Sequence, residues 1–268
     1  MIAGVRLLPP GFLATSSTDA LWALAGAYPY LFATVLGLVI CLAAAVALRP
    51  QWTLILGGGL LNTTCFHLLV YFEDVYWSPV RLFDWPVGIE DVLCSFHVGA
   101  LALIPMAVTL RESLSWEHEI ARPVRRYLLA GVPLPALFLV LMPLGLGPMG
   151  SLIATNLLAT GGLLLARARL WPLCICGLAG FPLLYWLIVR TYFLLWPGFI
   201  TQWNPEGIWG AVVLGLPRGE IAWAFAFGAF WPVFVGYVFD VRIERRERAS
   251  GRVARLEPGM AAPTPEGP

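Results

Sequence analysis

The sequence predicts an all-α integral membrane protein with about seven transmembrane helices. Of its 268 residues, 59% are hydrophobic and only 12% are charged, which is far more apolar than a soluble domain of this length requires. Apolar segments of about twenty residues, the length that crosses a bilayer, recur along the chain. Arginine is concentrated in alternate connections between these segments, as expected for a multi-pass protein.

The apolar segments predict seven spans, which follow an N-terminal segment at residues 1–23. These spans lie at about 24–48, 52–72, 87–110, 127–146, 149–166, 171–195 and 212–240. Proline occurs inside several of them and predicts kinks, which membrane helices tolerate. After the last span, residues 246–268 are rich in proline and glycine and predict a disordered tail.

The distribution of arginine predicts the orientation of the spans. The connections on one side contain mainly Arg6, Arg81 and Arg218. The connections after spans one, three, five and seven are richer and contain Arg49, Arg111, Arg122, Arg125, Arg126, Arg167, Arg169, Arg242, Arg245, Arg246 and Arg248. Because cytoplasmic loops carry the excess of basic residues, we expect the N-terminus outside the cell (inner) membrane and the C-terminus in the cytoplasm.

Two acidic motifs predict an internal repeat. Trp203 follows Trp77 by 126 positions, and a short motif that opens an apolar span comes after each tryptophan. The motifs are Gly88-Ile89-Glu90-Asp91 and Pro217-Arg218-Gly219-Glu220. With seven spans, residues 24–126 and 149–245 become two parallel three-helix repeats joined by a linker helix at 127–146. Both motifs then lie on the outer side of the membrane.

Glu90, Asp91 and Glu220 are the candidate catalytic residues. Carboxylates at helix N-termini also serve as caps, which is the structural alternative for each of them. An acid at membrane depth is costly and marks a functional site, and here acids occupy matched positions in two repeats. Next to another acid in an apolar cavity, a carboxyl group retains a proton that it can donate as a general acid. Which acid donates and which accepts stays open.

Aromatic residues around these acids are candidates for binding a substrate. Tryptophan and tyrosine also form belts at membrane interfaces, which is the alternative interpretation. Ring faces can instead stabilise a carbocation by cation–π attraction. Trp223 and Phe227 follow Glu220 by three and seven residues and share its helical face. The predicted substrate-binding set is Trp85, Phe96, Trp203, Trp223 and Phe227.

Four further residues near the second motif are predicted to support the site. Pro217 and Arg218 belong to the motif itself, and Arg218 could pair with an acid of the other repeat. Arg190 lies late in the sixth span, where Glu206 or Glu220 could be its partner. Glu206 is expected to be a solvated loop charge.

Several classes of chemistry are excluded or disfavoured by composition. All seventeen basic residues are arginine, so no lysine can hold retinal or pyridoxal phosphate as a Schiff base. The three histidines and five cysteines are too scattered to predict a metal site, and no cofactor is expected. The chain has no basic stripe for nucleic acid. The expected surroundings are the lipid bilayer, and a homo-oligomer stays open.

Residues 86–96 and 204–225 resemble the lycopene cyclase domain of the bacterial heterodimeric and the archaeal or fungal fused type. In that family, each of two three-helix units carries a loop of the form Asn-Pro-Glu … Gly-x-Pro-x-Glu-Glu/Asp before a Phe-rich helix. Here Gly88 stands in place of the proline, and Gly219 in place of one acid. The resemblance implies redox-neutral cyclisation of a lipid-dissolved carotenoid, lycopene, to β-ionone-type end rings, in which an acid protonates a terminal double bond.

Two functions of other classes remain open at this point. A small transporter on parallel repeats could use the same acids as a proton relay. A non-catalytic carotenoid-binding subunit could keep the scaffold without the full motifs, and Gly219 is the feature that favours it.

Overall fold

The computed structural model describes residues 17–83, 85–111, 113–116, 119, 121–204, 206 and 212–243, and it is 78% helical. The predicted tail at 246–268 and most of the segment at 1–23 lie outside these residues. Within the described residues the helices are α1 (Ser17–Ala27), α2 (Pro29–Ala47), α3 (Trp52–Thr63), α4 (Ile89–Leu101), α5 (Ile104–Thr109), α6 (Ala121–Ala130), α7 (Pro133–Leu141), α8 (Gly147–Ala166), α9 (Trp171–Leu195) and α10 (Arg218–Val238).

Six helical segments in the described chain are long and apolar enough to cross a membrane. They are Pro29–Ala47, Ile89–Thr109, Ala121–Leu144, Gly147–Ala166, Ala168–Leu195 and Arg218–Val238. A helical membrane protein was predicted, and this coarse prediction is confirmed. The segments match six of the seven predicted spans to within a few residues at most ends.

The second predicted span, 52–72, is broken. Its first part is α3, and a 3-10 helix at Phe66–Phe72 continues it after a bend of 49°. At the break, the hydroxyl groups of Thr63 and Thr64 donate to the carbonyl oxygens of Leu60 and Leu61, at 2.6 and 2.7 Å. Such local bonds compete with the regular helical pattern and explain why the α-helix ends here. Counted as one span, the bent pair raises the number to seven.

Helix α10 begins at Arg218, six residues after the predicted start of the last span. Strands β2 (Val212–Val213) and β3 (Leu216–Pro217) form a hairpin directly before it. The two residues between these strands, Leu214 and Gly215, both have positive φ, as tight hairpin turns require. Strands β1 (Leu114–Ser115) and β4 (Arg242–Ile243) pair at the other end of the molecule.

The long helices form two groups with the same packing pattern. Helix α4 packs against α2 and α3, and α10 packs against α8 and α9. Glycines allow close crossings in both groups. A Cβ atom at Gly99 of α4 would lie 3.0 Å from the Gly58 carbonyl oxygen, and one at Gly177 of α9 would lie 2.0 Å from the Gly228 carbonyl oxygen. Helix α10 is the most buried of the six segments, since 72% of the residues in its 18-residue apolar stretch are buried inside the protein.

Two loops pair at the end of the molecule where α4 and α10 begin. Trp77 and Trp203 form an antiparallel bridge, with ring centroids 5.5 Å apart. The Ser78 amide donates to the Gln202 carbonyl oxygen, and the Asn204 amide donates to the Tyr76 carbonyl oxygen, both at 2.8 Å. At the opposite end, Asp240 lies among four arginines. The acidic motifs and the arginine cluster are therefore at opposite ends of the helices.

Candidate functional site

A cavity lies between the two groups of helices. Its walls come from α2, α3, α4 and α6–α10, together with the 3-10 helix at Phe66–Phe72 and the loop containing Tyr76 and Trp77. The cavity volume is about 220 Å³. The walls are mainly aliphatic and aromatic, and Glu220 is the single carboxylic acid among the described lining residues. Such a cavity suits an apolar molecule that meets one acidic group.

Glu220 lies three residues after Pro217, the N-cap of α10, and is 7% exposed. One carboxyl oxygen accepts hydrogen bonds from the Tyr76 hydroxyl at 2.8 Å and the Trp203 indole at 3.0 Å. The other oxygen accepts from the Tyr185 hydroxyl at 2.5 Å. All three donors are neutral, and none of the ion pairs between described residues includes Glu220. The acid is therefore oriented by neutral donors rather than by a cation.

Tyr76 remains a donor over the physiological pH range. Burial, together with the neighbouring Glu220 carboxyl, raises the pKa of the Tyr76 phenol above its usual value. The hydroxyl therefore keeps its proton and its orientation toward Glu220.

Asp91 occupies the corresponding position of α4, three residues after the N-cap Gly88, but its partners are different. Arg81 donates to it at 2.7 Å, the Gly88 amide donates at 2.7 Å, and the Tyr30 hydroxyl donates at 3.0 Å. Arg81 also pairs with Glu73 at 2.8 Å. Asp91 is therefore a paired carboxylate that fixes the start of α4, and it does not line the cavity.

Arg81 is 5% exposed and stays charged. Burial lowers the pKa of its guanidinium group, but the hydrogen bonds to Asp91 and Glu73 outweigh burial and leave this pKa above its usual value.

Glu90 is fully buried beside this ion pair and outside the cavity lining. One of its carboxyl oxygens accepts from the Leu82 amide at 2.6 Å, and the other has no partner among the described atoms. A Cβ atom at position 88 would lie 2.6 Å from this second oxygen. Glycine at 88 thus leaves room for Glu90 and supplies the amide that Asp91 binds, which proline could not do.

Below Glu220, the aromatic residues of α10 form a stacked row along the cavity wall. Trp223 stacks on Phe227 at 5.1 Å and 22°, and Phe227 stacks on Trp231 at 5.4 Å and 11°. Phe181 and Tyr185 of α9 contact the upper part of this row at 5.2–6.1 Å. The i, i+4 spacing on one helix places these rings on one face. Ring faces beside a cavity can stabilise a positive charge that forms there.

An aromatic path joins Asp91 to Glu220. Tyr30, which binds Asp91, contacts Trp77 edge-on at 4.7 Å, and Trp77 contacts Trp203, which donates to Glu220. The two acidic positions are thus connected by contacts between side chains at the paired loops. Of the two acids, Glu220 faces the cavity and Asp91 does not.

The structure brings three of the five predicted substrate-binding residues to the cavity. Trp203, Trp223 and Phe227 line it. Trp85 is 50% exposed and stacks on Phe83 at 5.1 Å. Phe96 packs against Gly59 of α3, outside the lining.

The predicted supporting residues lie around the start of α10. Pro217 is the buried N-cap, whereas Arg218 and Glu206 are exposed. Arg190 packs against the hairpin at Gly215, and none of the described ion pairs joins it to Glu220 or Glu206. The side chains that donate to the Glu220 carboxyl group are instead Tyr76, Tyr185 and Trp203.

Sequence reasoning missed the hydroxyl groups that hold Glu220. Tyr76 directly precedes Trp77 in the repeated loop, so its position next to a matched tryptophan was an available signal. Tyr185 lies 35 residues before Glu220 in an apolar helix and carries no comparable signal. Arg81 appeared in the sequence only as a loop charge.

The five cysteines, all within the described residues, are free, and no group of three or more potential metal ligands occurs in the part of the chain that the structure describes. Comparison of the chain with protein-family models, with curated proteins and with solved structures gave no match.

Proposed function

We propose that this protein is a membrane cyclase that closes the end of a lipid-dissolved carotenoid, with lycopene as the expected substrate and Glu220 as the proton donor. The observation that carries the proposal is the position of Glu220. It is the single carboxylic acid among the described cavity-lining residues, it is held by three neutral donors, and it stands at the head of a stacked aromatic row.

The reaction would require no change of oxidation state. Glu220 protonates the terminal double bond, which leaves a tertiary cation on the polyene. A double bond further along the chain attacks that cation, and a carbon–carbon bond closes the ring. The ring cation then loses a proton from an adjacent carbon, which forms the ring double bond. The Glu220 carboxylate is the base on the cavity wall that can take this proton back.

Trp223 and Phe227 have the position needed to stabilise the cation. They follow Glu220 on the same face of α10 and offer stacked ring faces to the cavity. Cation–π attraction is worth about 2 kcal/mol or more when the partners are desolvated, as they are here. The apolar walls also keep water away from a cation that it would otherwise capture.

We assign different roles to the three acids. Glu220 carries the chemistry, and Asp91 positions the loop and Tyr30 as a carboxylate paired with Arg81. Glu90 supports the same loop through the Leu82 amide. This division departs from the sequence-based expectation that all three acids are catalytic, as proton donor, proton acceptor or cation stabiliser.

We further propose that the chain forms two parallel three-helix repeats with seven spans. The loops pair reciprocally, because the Ser78 amide donates to Gln202 as the Asn204 amide donates to Tyr76. The two donors are 126 positions apart in the sequence, and so are the two acceptors. The helices agree as well, since Asp91 and Gly99 of α4 correspond to Glu220 and Gly228 of α10 at one offset of 129. A pseudo-twofold axis along the membrane normal accounts for both relations.

Expression in a bacterial host that accumulates lycopene would test the cyclase. We expect mono- or bicyclic carotenes with the natural sequence and none with Glu220→Gln. Tyr185→Phe should lower the yield about tenfold, because the acid loses a hydrogen bond worth about 1.5 kcal/mol. Tyr71→Phe is the matched control, since Tyr71 is 41% exposed and outside the cavity lining.

Glu90→Gln should retain part of the activity if it folds, because Glu90 does not face the cavity. Unchanged lycopene, with the natural protein shown to be folded in the membrane, would contradict lycopene cyclisation. Retention of lycopene by the purified protein without conversion would favour the non-catalytic binding subunit. Full activity of Glu220→Gln would remove Glu220 as the proton donor.

A further inference from the structure

The cavity contains buried polar atoms that a hydrocarbon would leave without partners. Four lining residues each have one such atom with no hydrogen-bond partner among the described atoms: the Thr155 hydroxyl, the Asn156 amide nitrogen, the Tyr192 hydroxyl and the Trp231 indole nitrogen. Each of these residues is at most 5% exposed. An unpaired buried polar group costs about 1–3 kcal/mol, so four in one cavity need an explanation.

All four of these atoms can donate a hydrogen bond. The Asn156 amide nitrogen and the Trp231 indole nitrogen can only donate. Outside the ion pairs, the unpartnered buried atoms that can only accept belong to Gln51, Glu90 and Gln202, and none of these residues lines the cavity. The unpartnered groups of the cavity wall are therefore donors. A ligand that pairs with them carries a hydrogen-bond acceptor, such as a hydroxyl, carbonyl or ether oxygen.

The two obligate donors lie deeper than Glu220. Trp231 follows Glu220 by eleven residues on α10, which is about 16 Å along the helix axis. Met149 of α8 lies beside Gly219, 3.5 Å from where a Cβ atom would be. Asn156 follows Met149 by seven residues, or about 10 Å.

Helices α8 and α10 run in the same direction, because Arg167 at the end of α8 pairs with Asp240 at the end of α10. Both donors are therefore displaced from the acid toward the same end of the molecule. An isoprenoid that presents its reactive end to Glu220 would pass along the stacked rings toward these donors.

We infer that this cavity also binds linear isoprenoids that carry a hydrogen-bond-accepting oxygen about 10–16 Å from the end that Glu220 meets, and binds them more tightly than hydrocarbons of the same length. The inference rests on the proposed function, since it takes the Glu220 end as the reactive one, and it adds oxygenated chains to the hydrocarbon proposed there as ligands of this site. A fifteen-carbon alcohol such as farnesol, whose oxygen lies ten to eleven bonds from its far terminal double bond, spans about this separation when it is extended along α10. A pure hydrocarbon of the same length would leave Asn156 and Trp231 unpaired.

Equilibrium binding to the purified full-length protein in lipid nanodiscs would test this inference. The probes are radiolabelled farnesol, the unlabelled alcohol and the hydrocarbon of the same carbon skeleton that lacks its hydroxyl group. We expect the alcohol to displace the label at about tenfold lower concentration than the hydrocarbon, since one recovered hydrogen bond is worth about 1.4 kcal/mol.

Two variants locate the oxygen. Trp231→Phe and Asn156→Leu each remove a donor, and at least one of them should reduce the preference for the alcohol several-fold. Trp223→Phe is the matched control, because it removes similar ring area from the same row without removing an unpartnered donor. It should weaken binding of both probes alike.

Equal displacement by alcohol and hydrocarbon would overturn the inference, as would a preference that survives in both Trp231→Phe and Asn156→Leu. The preference should persist in Glu220→Gln, which cannot donate the proton. A clear preference without any cyclised product would therefore sink the proposed reaction and leave the oxygen site standing. Cyclisation of lycopene, combined with equal displacement by alcohol and hydrocarbon, would support the proposed reaction and overturn the oxygen site.

Discussion

Asp91 and Glu220 both lie three residues after a helix N-cap, but the donors around them differ in charge. Asp91 binds the buried cation of Arg81, whereas Glu220 binds two phenols and an indole. The same sequence position thus yields a structural ion pair in one half of the chain and a candidate proton donor in the other.

Removal of one partner from the Arg81–Asp91 pair should destabilise the protein more than removal of both. Asp91→Asn leaves a guanidinium group at 4% side-chain exposure, with Glu73 as its remaining counter-ion among the described residues. We expect a loss of about 3 kcal/mol in the free energy of unfolding, seen as a lower midpoint in a thermal melt of the detergent-solubilised protein. Arg81→Met combined with Asp91→Leu should recover part of that loss, because no buried charge remains unpaired.

Together with the natural protein, the single variants Arg81→Met and Asp91→Leu and the double variant form a cycle that isolates the pair. If the double variant is less stable than the natural protein by the sum of the two single losses, the two side chains do not interact as the structure shows.

Residue-level patterns in the sequence revealed about half of the candidate site. Glu220, Trp223 and Phe227 were found together because one helix fixes their spacing, and helical periodicity can be read from sequence alone. Tyr185 was missed because its contact with Glu220 depends on how α9 packs against α10. Arg81 was missed as a partner of Asp91 because the loop between them has no periodic structure from which to predict contacts.

At the scale of whole helices, the crossing of α9 and α10 depends on two glycines. The Cβ atom of an alanine at 177 would lie 2.0 Å from the Gly228 carbonyl oxygen, so the helices would have to separate. Because α10 carries Glu220 and the aromatic row, such a movement would also disturb the cavity wall. The crossing therefore both packs α9 against α10 and positions Glu220 and the aromatic row.

Gly177→Ala should therefore lower the stability of the folded protein by about 1–3 kcal/mol through overpacking. Gly161→Ala in α8 is the control, since nothing lies within 4 Å of its added Cβ atom. Alanine is the better helix former, so the control should be neutral or slightly stabilising. Thermal melts of both variants under one condition would compare them, and equal midpoints would contradict the close crossing.

The arginine cluster ties together the opposite ends of several helices. Asp240 pairs with Arg126 of α6 at 3.7 Å, with Arg167 and Arg169 between α8 and α9, and with Arg242 at 3.2 Å. Burial raises the pKa of Asp240, but the hydrogen bond from Arg242 and the charges of the other arginines outweigh burial and hold this pKa below its usual value.

The lowered pKa of Asp240 determines how the stability of the folded protein changes with pH. Because the folded state binds the Asp240 proton more weakly than the unfolded state, the ionised carboxylate stabilises the fold above the usual aspartate pKa of about 4. That contribution is lost as the pH falls through the folded-state pKa. We expect the difference in melting midpoint between the natural protein and Asp240→Asn to be largest near neutral pH and to shrink below about pH 4. A difference that grows on acidification would contradict the assignment.

For the molecule as a whole, hydropathy predicted most of the architecture and left the second span unresolved. The long apolar runs required no tertiary information, because length and composition alone decide whether a helix can cross a bilayer. The bend after Thr63 depends on local hydroxyl bonds, which a hydropathy profile does not register. The number of spans, and hence the parallel repeat, depends on whether α3 and the 3-10 helix cross together.

Contacts at the two ends of this bent pair favour a crossing. Gln51 donates to the Arg111 carbonyl oxygen, close to strand β1, which pairs with β4 beside Asp240. At its other end, the 3-10 helix leads to Trp77 and the paired loops. The segment thus runs from the arginine cluster to the acidic motifs, as a full span would.

Cysteine labelling would test the span count and the orientation together. In a variant with Cys41, Cys65, Cys94, Cys174 and Cys176 replaced, single cysteines would be placed at four exposed positions: Pro50, Trp85, Ala168 and Glu206. With seven spans and the C-terminus in the cytoplasm, a membrane-impermeant maleimide should label Trp85→Cys and Glu206→Cys on intact cells. Pro50→Cys and Ala168→Cys should react only after permeabilisation. Labelling of Pro50→Cys from the same side as Trp85→Cys would show that the bent segment turns back, and the two halves could not then be parallel repeats.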